Sequence, residues 1–340
     1  MKILTNGSKI LVKATLDAGI NFFSGYPITP AAKILETFAC KSIENKDLVF
    51  LQSEDEIAAI HHAIGASVGG NKSMTATSGP GFSLMQEGLG LAYATSVPLT
   101  VVNVMRQGPS TGMPTKPSQG DLLQTQYGTH GDYKIIVFYP NSITEIYEYT
   151  IKAINASEES KSPVIILLDA ILANLYETID IPKDKPNLIN HKLKFGTSNR
   201  HLSGLVTDKN GVPKTNNFNV YDKWLNKKLK HITKVANKYD FYEYNKNDNN
   251  KTLIISFGSL SRLIKNRGNY DTFRPITLFP ISPKLKEISK KYSKILVLEM
   301  NKGQYSFALE SFLKREIKTI SILGNSLNPN DILEKINEKI

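Results

Sequence analysis

Short apolar runs alternate with amphipathic stretches over roughly the first 180 residues, and no other feature constrains the fold of this chain as strongly. The apolar runs are predicted strands, at Asn21–Ser24, Leu48–Leu51, Lys72–Thr77, Leu99–Met105, Lys134–Phe138 and Val164–Leu168. The amphipathic stretches are predicted helices, at Pro30–Ala39, Glu54–Val68, Phe82–Ala94, Gln119–Tyr127 and Ile143–Ala156. This alternation predicts an α/β fold with a parallel sheet that helices cover on both faces.

The alternation stops between residues 185 and 250, where Lys, Asn and Asp are frequent. We interpret this stretch as a connector with one helix, Tyr221–Lys238. From residue 251 the alternation resumes, with strands at Leu253–Phe257, Ile276–Phe279, Ile295–Glu299 and Ile317–Leu323 and helices from Lys284 and Asn330. The sequence therefore predicts one domain over residues 1–184, a connector over 185–250 and a smaller α/β domain over 251–340.

Composition excludes several classes of protein. No apolar run reaches the roughly 18 residues of a membrane-spanning helix, and the N-terminus lacks the apolar region of a signal peptide, so we expect a cytoplasmic location. Cys40 is the single cysteine, so the chain alone cannot supply the four thiolates of a 4Fe–4S cluster. The net charge of +11 is dispersed among asparagines and acids without a nucleic-acid-binding motif, so we expect no nucleic-acid partner. A solvated surface explains this charge, as does docking of an acidic protein.

The segment Gly25-Tyr-Pro-Ile-Thr-Pro30 follows the first predicted strand. Pro27 and Pro30 fix their own φ angles and favour extended conformations before them, so the segment forms a stiff arch. Thr29 lies where a helix N-cap belongs, with Pro30 at the first helical position. Open α/β sheets bind ligands where such arches leave their strands, although Thr29 could also serve only as a cap.

Three further motifs follow the next three predicted strands: Gln52-Ser-Glu-Asp-Glu56, Met74-Thr-Ala-Thr-Ser-Gly-Pro-Gly81 and Arg106-Gln-Gly-Pro-Ser-Thr-Gly-Met-Pro-Thr-Lys116. The carboxyl ends of parallel strands lie along one edge of a sheet. We therefore expect all four motifs to meet in one site.

Together these motifs resemble the α subunit of 2-oxoacid:ferredoxin oxidoreductases. The resemblance continues through His130-Gly-Asp132, Pro163–Asp169 and Glu299-Met-Asn-Lys-Gly-Gln304, and thus covers nearly the whole chain. The Pro-Ser-Thr-Gly-Met-Pro-Thr loop and Arg200-His-Leu-Ser-Gly-Leu205 are most similar to the 2-oxoglutarate branch. The resemblance implies a pyrimidine-type thiamine-diphosphate-binding domain followed by a transketolase C-terminal-like domain. It also implies oxidative decarboxylation of 2-oxoglutarate with coenzyme A (CoA) to succinyl-CoA and CO₂, with ferredoxin or flavodoxin as electron acceptor.

Thiamine diphosphate needs a carboxyl group beside N1′ of its aminopyrimidine ring, where a hydrogen bond favours the imino tautomer. Ser53 and Glu56 fit a capping box, which gives Glu56 a structural role. Among the three adjacent acids this leaves Glu54 as the cofactor acid, as the resemblance also implies, and burial beside the pyrimidine should raise its pKa. The alternative is that the acids only favour a helix N-terminus electrostatically. The arch residues that the resemblance places against the cofactor are Tyr26, Pro27 and Ile28.

Arg106 ends an apolar strand and opens a loop rich in Gly and Pro. Its planar, permanently charged guanidinium suits a 2-oxoacid carboxylate, although an arginine at a strand end is often a surface ion-pair partner. The resemblance implies that Arg106 and Thr29 hold the 1-carboxylate and keto group of the substrate. Thr115 and Lys116 are candidates for the other end of the substrate, and Lys116 could equally be solvated.

Thiamine enzymes commonly bind the diphosphate through Mg²⁺ and a Gly-Asp-Gly motif, which this sequence lacks. The resemblance therefore implies a partner β subunit that carries the diphosphate, the Mg²⁺ and the 4Fe–4S cluster, with γ and δ subunits as further candidates. His61 and His62 are adjacent on a predicted helix and point about 100° apart, so we assign this chain no metal ligand.

Two alternative functions stay open. The first is a branched-chain or broad-range 2-oxoacid enzyme, whose loop would lack a site for a second carboxylate. The second is a non-catalytic scaffold subunit. The joint presence of Thr29, Glu54 and Arg106 argues against a scaffold, which does not need these three residues together.

Overall fold

The computed structural model describes residues 2–182, 184, 186–190, 204–208, 210, 212–247, 251–265, 267–268, 270–323 and 327–340. The strands within these ranges are β1 (Lys2–Asn6), β2 (Phe22–Gly25), β3 (Val49–Gln52), β4 (Ser73–Thr77), β5 (Leu99–Gln107), β6 (Met113–Pro117), β7 (Ile136–Phe138), β8 (Pro163–Asp169), β9 (Tyr176–Asp180), β10 (Tyr242–Asn245), β11 (Thr252–Ser256), β12 (Asp271–Pro275), β13 (Thr277–Phe279), β14 (Lys294–Glu299) and β15 (Lys318–Ser321).

The helices within the same ranges are α1 (Gly7–Asp17), α2 (Ala32–Glu44), α3 (Glu56–Val68), α4 (Pro80–Leu84), α5 (Gln86–Thr95), α6 (Leu122–Tyr127), α7 (Ile143–Ser160), α8 (Ala170–Asn174), α9 (Phe218–Lys238), α10 (Gly258–Ile264), α11 (Pro283–Ser289), α12 (Gln304–Leu313) and α13 (Pro329–Asn337). No helix in the described part of the chain combines the length and the apolarity needed to cross a membrane.

The larger sheet has eight strands in the order β13-β7-β8-β5-β4-β2-β3, with β6 added beside β5. The strands β2, β3, β4, β5, β7 and β8 run parallel, whereas β6 and β13 pair antiparallel to their neighbours. Every residue of β4 and β8 is buried, as expected for central strands of a covered parallel sheet. The α/β fold with a parallel sheet is confirmed. Since β2 to β5 run parallel, the loops that follow them leave the same edge.

The smaller sheet has five strands in the order β10-β12-β11-β14-β15. It begins with β10, inside the predicted connector, and α9 extends the connector helix to Phe218. Most of the motif Arg200–Leu205 lies outside the described residues. The predicted strand Ile276–Phe279 forms as β13 but pairs with β7 of the larger sheet, so the two halves of the chain are joined through a shared sheet. The boundaries at residues 184 and 250 stay a prediction.

Candidate active site

The arch after β2 continues further than the sequence suggested. Helix α2 begins at Ala32, and its N-cap is Ala31, which makes no side-chain capping bond. The prediction that Thr29 is the N-cap and Pro30 the first helical residue is therefore wrong. The arch occupies the intervening residues, where the amide of Ala32 donates to the carbonyl of Ile28 at 2.8 Å. The Thr29 side chain thus lies outside the helix, on the exposed rim of the sheet.

Arg106 joins the arch to the loop after β5. Its guanidinium Nη1 donates to the main-chain carbonyl of Thr29 at 2.8 Å, and the side chain is only 6% exposed. The Nε atom is buried without a hydrogen-bond partner among the described residues. Gly79 lies against this side chain, since a Cβ at that position would stand 3.2 Å from Nε. The structure therefore brings Arg106 against the main chain of Thr29, while the substrate roles that the resemblance implies for both residues stay a prediction.

Thr29 opens onto a cavity of about 300 Å³ at the edge of the sheet. Its lining comes from the arch, β6 and α8: Thr29, Pro30, Ala32, Thr115, Pro117, Ala170, Ile171 and Asn174. Thr115 thus shares the cavity with Thr29, and its role at the distal end of the substrate stays a prediction. Lys116 does not line it, because successive side chains of β6 point to opposite faces.

Arg106 does not line this smaller cavity but a second, larger one of about 620 Å³ between the two sheets. Its other polar walls come from Asp121 and from the turn Asn301–Gln304 of the smaller sheet, with Gly79 and Pro80 beside them. The guanidinium therefore stands between the arch with the smaller cavity and the open space of the larger one. A permanent positive charge at this place suits an anionic ligand.

The three acids after β3 occupy different environments. Asp55 is the N-cap of α3 and accepts from the amide of Ala58 at 2.7 Å. The predicted capping box is therefore wrong, because the helix starts two residues later than it requires. The hydroxyl of Ser53 instead contacts Ser24 Oγ at 2.8 Å and His62 Nδ1 at 3.1 Å. Glu54 is exposed in this chain, and its role as the cofactor acid stays a prediction.

Glu56 is the buried acid, with 4% of its surface exposed. Its Oε1 has no hydrogen-bond partner among the described residues, and burial raises the pKa of this carboxyl above its ordinary value of 4.5. The oxygen lies over Gly81, where an added Cβ would come within 2.2 Å of it and of Thr77 Oγ1. The sequence assigned Glu56 a capping role and missed this environment. The glycine at position 81 was the available signal, but only the fold shows what it faces.

The carboxyl edge of β4 and β5 offers hydrogen-bonding groups to a polar ligand. Unpartnered buried polar atoms cluster there, including Ser78 Oγ, Arg106 Nε and Glu56 Oε1. Tyr26 and Glu54 are both exposed on the adjacent rim, just after β2 and β3, whose last paired residues are Gly25 and Gln52.

The two predicted non-ligand histidines make separate local contacts. His61 Nδ1 lies 2.7 Å from the carbonyl of Ile57, whereas His62 contacts Ser53. Among the described residues, no three His, Cys, Asp or Glu side chains form a group that could hold a metal ion.

Comparison with protein families supplies an independent line of evidence. Residues 13–241 match the family model described as pyruvate flavodoxin/ferredoxin oxidoreductase, thiamine diphosphate-binding. The chain is 37% identical over 350 residues to the 2-oxoglutarate synthase subunit KorA of Archaeoglobus fulgidus, covering 97% of each protein. It is 30% identical over 354 residues to the ketoisovalerate oxidoreductase subunit VorB of Methanothermobacter thermautotrophicus, covering 98% of this chain and 97% of that protein.

A solved structure is similar over almost the whole chain. It is the 2-oxoglutarate:ferredoxin oxidoreductase from Magnetococcus marinus with 2-oxoglutarate, coenzyme A and succinyl-CoA bound. The TM-score is 0.91 at 29% sequence identity, and the match covers 99% of this chain. This chain spans 65% of the length of that relative.

Proposed function

Because this chain belongs to the pyruvate flavodoxin/ferredoxin oxidoreductase family, we propose that it is the α subunit of a 2-oxoglutarate:ferredoxin oxidoreductase. The complex would decarboxylate 2-oxoglutarate oxidatively, transfer the acyl group to CoA as succinyl-CoA and release CO₂. The observation that carries this proposal is the bond of the Arg106 guanidinium to the main-chain carbonyl of Thr29, whose residue shares a cavity of about 300 Å³ with Thr115. The similarity to KorA along 97% of both proteins supports the same substrate.

The substrate roles follow from the contact of Arg106 with the arch and from the cavity beside the arch. Arg106 would bind the 1-carboxylate with its free guanidinium edge, while its bond to the Thr29 carbonyl fixes the plane of the fork. The Thr29 hydroxyl would donate to the keto oxygen. Thr115 would face the distal carboxylate, since it lines the same cavity. Lys116 stays a prediction for this distal role, from the opposite face of β6.

Thiamine diphosphate supplies the carbanion chemistry of such enzymes when it is bound. In this chain the arch Tyr26–Ile28 would support the pyrimidine ring, and the Glu54 carboxyl would hold N1′ in a hydrogen bond. Glu54 is exposed here, so a partner subunit must exclude water from it. Glu56 lies beneath the same edge, where its carboxyl packs closely against Gly81.

The partner in this proposal is a β subunit that carries the diphosphate, the Mg²⁺ and the 4Fe–4S cluster. The single cysteine, Cys40, cannot ligate a cluster by itself. Ferredoxin or flavodoxin would take the two electrons, and γ and δ subunits are further candidate members of the complex. The cytoplasmic location stays a prediction.

A branched-chain 2-oxoacid is the second candidate substrate. The VorB relative is similar along 98% of this chain, and Ala170 and Ile171 give the cavity an aliphatic wall. An aliphatic substrate end would pack against that wall without a partner for a second carboxylate.

The test is a native affinity purification followed by assays with 2-oxoglutarate, pyruvate and 2-oxoisovalerate. We expect a second subunit, thiamine and iron to copurify, with CoA-dependent turnover fastest on 2-oxoglutarate. Equal rates with 2-oxoisovalerate would contradict the assigned substrate. Glu54→Gln should reduce turnover by about 100-fold or more in an assembled complex, because the tautomer loses its partner. Unchanged turnover would favour the scaffold alternative.

A further inference from the structure

The motif Glu299-Met-Asn-Lys-Gly-Gln304 forms a rigid turn between β14 and α12. The Glu299 carboxylate is fully buried and accepts from the amides of Tyr305 at 2.8 Å and Ser306 at 3.1 Å. An acid at this position satisfies the helix N-terminus and its positive dipole end. Gly303 has a φ of 103°, which side-chain-bearing residues rarely adopt.

Asn301 closes the turn from inside. Its Oδ1 accepts from the amides of Gly303 and Gln304, both at 2.8 Å. Its carbonyl accepts from Ser321 Oγ at 2.6 Å, which ties the turn to β15. The Nδ2 group is thereby aimed out of the turn, towards the larger sheet.

The turn holds the segment Ser118–Leu123, which directly follows β6, by a set of hydrogen bonds that we call the grip. Nδ2 of Asn301 donates to the carbonyl of Gln119 at 2.7 Å. The main-chain amide of Gln119 donates to the carbonyl of Met300 at 3.0 Å, and the amide of Met300 donates to Gln119 Oε1 at 2.9 Å. The Gln119 amide also donates to Phe257 O at 3.0 Å and Tyr139 Oη at 3.2 Å. Every polar group of this fully buried residue is therefore bonded.

Gln304 adds two bonds to the same segment. Its side chain donates to the carbonyl of Gly120 and accepts from the amide of Leu123 at 3.1 Å. The segment therefore has little freedom to shift relative to the smaller sheet.

The grip is important because β6 pairs irregularly with its own sheet. Its pairing with β5 is irregular, with Arg106 opposite Pro117 and Gln107 opposite Met113. Gln119 lies only two residues beyond Pro117, and Thr115 and Pro117 line the smaller cavity. The anchored segment thus fixes one end of the strand that carries the cavity wall.

We propose that Asn301, with Gln119, is a positioning residue for the 2-oxoacid: the turn of the smaller sheet holds β6 and so sets the affinity for the substrate. The inference rests on the proposed function. It gives the second half of the chain a role in substrate binding, although none of the described residues that line the smaller cavity belongs to that half.

The discriminating variant is Asn301→Asp in the assembled complex. Aspartate keeps the acceptor for Gly303 and Gln304 but sets a carboxylate oxygen against the Gln119 carbonyl in place of the donor. The turn therefore survives while the grip loses the Asn301 bond and gains a repulsive contact. We expect KM for the 2-oxoacid to rise about tenfold with kcat changed less than twofold, and amide hydrogen exchange of residues 107–117 to accelerate. Asn301→Ala, which also loses the turn bonds, should have at least as large an effect.

Asn141→Ala is the matched control. The Asn141 amide donates to Ser261 Oγ at 3.0 Å, between the same two halves of the chain but away from β6. This control should change neither KM nor exchange of residues 107–117. An equal effect from Asn141→Ala, or unchanged KM or exchange in Asn301→Asp, would overturn the inference. If the wild-type complex turns over none of the three acids, the proposed function fails, and unchanged exchange in Asn301→Asp would still overturn the grip separately.

Discussion

Arg106 combines burial, an anchored orientation and an unsatisfied donor at a single residue. One guanidinium nitrogen is committed to the Thr29 carbonyl, and Nε is buried without a partner among the described residues. A buried arginine is costly unless its charge and donors are used. These features are typical of an arginine that binds an anionic ligand rather than one that only stabilises the fold.

Substituting Arg106→Lys keeps the positive charge but removes the planar fork. A lysine cannot bond the Thr29 carbonyl and a carboxylate in the same geometry. We expect kcat/KM for the 2-oxoacid to fall roughly 100-fold, the loss of one or two charge-assisted bonds. Steady-state kinetics of the assembled complex measure this, with retained thiamine content as the folding control. Unchanged kinetics would contradict the substrate role of Arg106.

Glu56 gives a prediction about stability and pH. Burial raises its folded-state pKa, so the folded state favours the protonated form. Its contribution to stability is complete below the unfolded-state pKa and is lost as pH rises through the folded-state pKa. Glu56→Gln, which is always neutral, should therefore gain stability over wild type as pH rises above 4.5, by on the order of 1 kcal/mol at neutral pH.

Urea unfolding of the purified chain between about pH 4 and 8 measures this difference. Glu54→Gln is the matched control, because it removes the same charge from an exposed side chain that lies two residues from Glu56. It should change the free energy of unfolding by less than about 0.5 kcal/mol. A Glu56→Gln curve that runs parallel to wild type at all pH values would show that burial does not favour the protonated carboxyl.

The three acids Glu54, Asp55 and Glu56 show what the sequence can and cannot predict about single residues. The pattern places three carboxylates after a strand, and the structure puts them there. It does not tell which one is buried, because a capping box from Ser53 and a cap at Asp55 differ by a helix start of only two residues. That shift moves Glu56 from a surface role to a buried one.

At the scale of elements, the turn Ser78–Gly81 between β4 and α4 supports Arg106 from below. Gly79 has φ 45° and ψ −109°, a conformation that costs an L-residue about 1–3 kcal/mol. In Gly79→Ala the new Cβ would also press on Arg106 Nε. We expect a stability loss of about 1–3 kcal/mol and a higher KM for the 2-oxoacid, measured by thermal unfolding and kinetics.

Gly65→Ala in α3 is the control for this prediction. An added Cβ there meets no heavy atom within 4 Å, so the substitution should stabilise the helix by about 0.5–1 kcal/mol. A Gly79→Ala protein as stable and as active as Gly65→Ala would mean that the turn does not hold Arg106.

The elements that the sequence predicted best are those with strong local patterns. The buried strands β5 and β8 and the amphipathic helix α7 form close to their predicted bounds. Two of the strands that were missed depend on distant partners: β1 pairs with β9, and β6 pairs with β5 across a loop. Local periodicity does not tell which sheet a short strand joins. The pairing of β13 with β7 of the larger sheet could therefore not be predicted from the sequence.

At the scale of the whole molecule, the two halves and the open rim have different roles. The smaller sheet is joined to the larger one through β13 and the grip on Ser118–Leu123. The opposite end of the larger sheet is the edge strand β3, which is largely exposed. An exposed edge strand favours pairing with another chain unless it is covered. The rim beside this edge also carries Tyr26 and Glu54, which the proposed cofactor site needs to be shielded from water.

The last prediction concerns this rim as the surface for the partner subunit. Leu51 is 37% exposed at the end of β3, three residues from Glu54, and Tyr26 beside it is 38% exposed. Leu51→Asp places a charge among these apolar side chains and should weaken assembly with the β subunit at least tenfold, a cost of about 1.4 kcal/mol or more. Native mass spectrometry of the coexpressed subunits measures the assembled fraction, and Phe218→Asp on the 87% exposed start of α9 is the control. Full assembly of Leu51→Asp, or equal loss in Phe218→Asp, would place the partner elsewhere, and the exposed Glu54 would then be left without the cover that its proposed role requires.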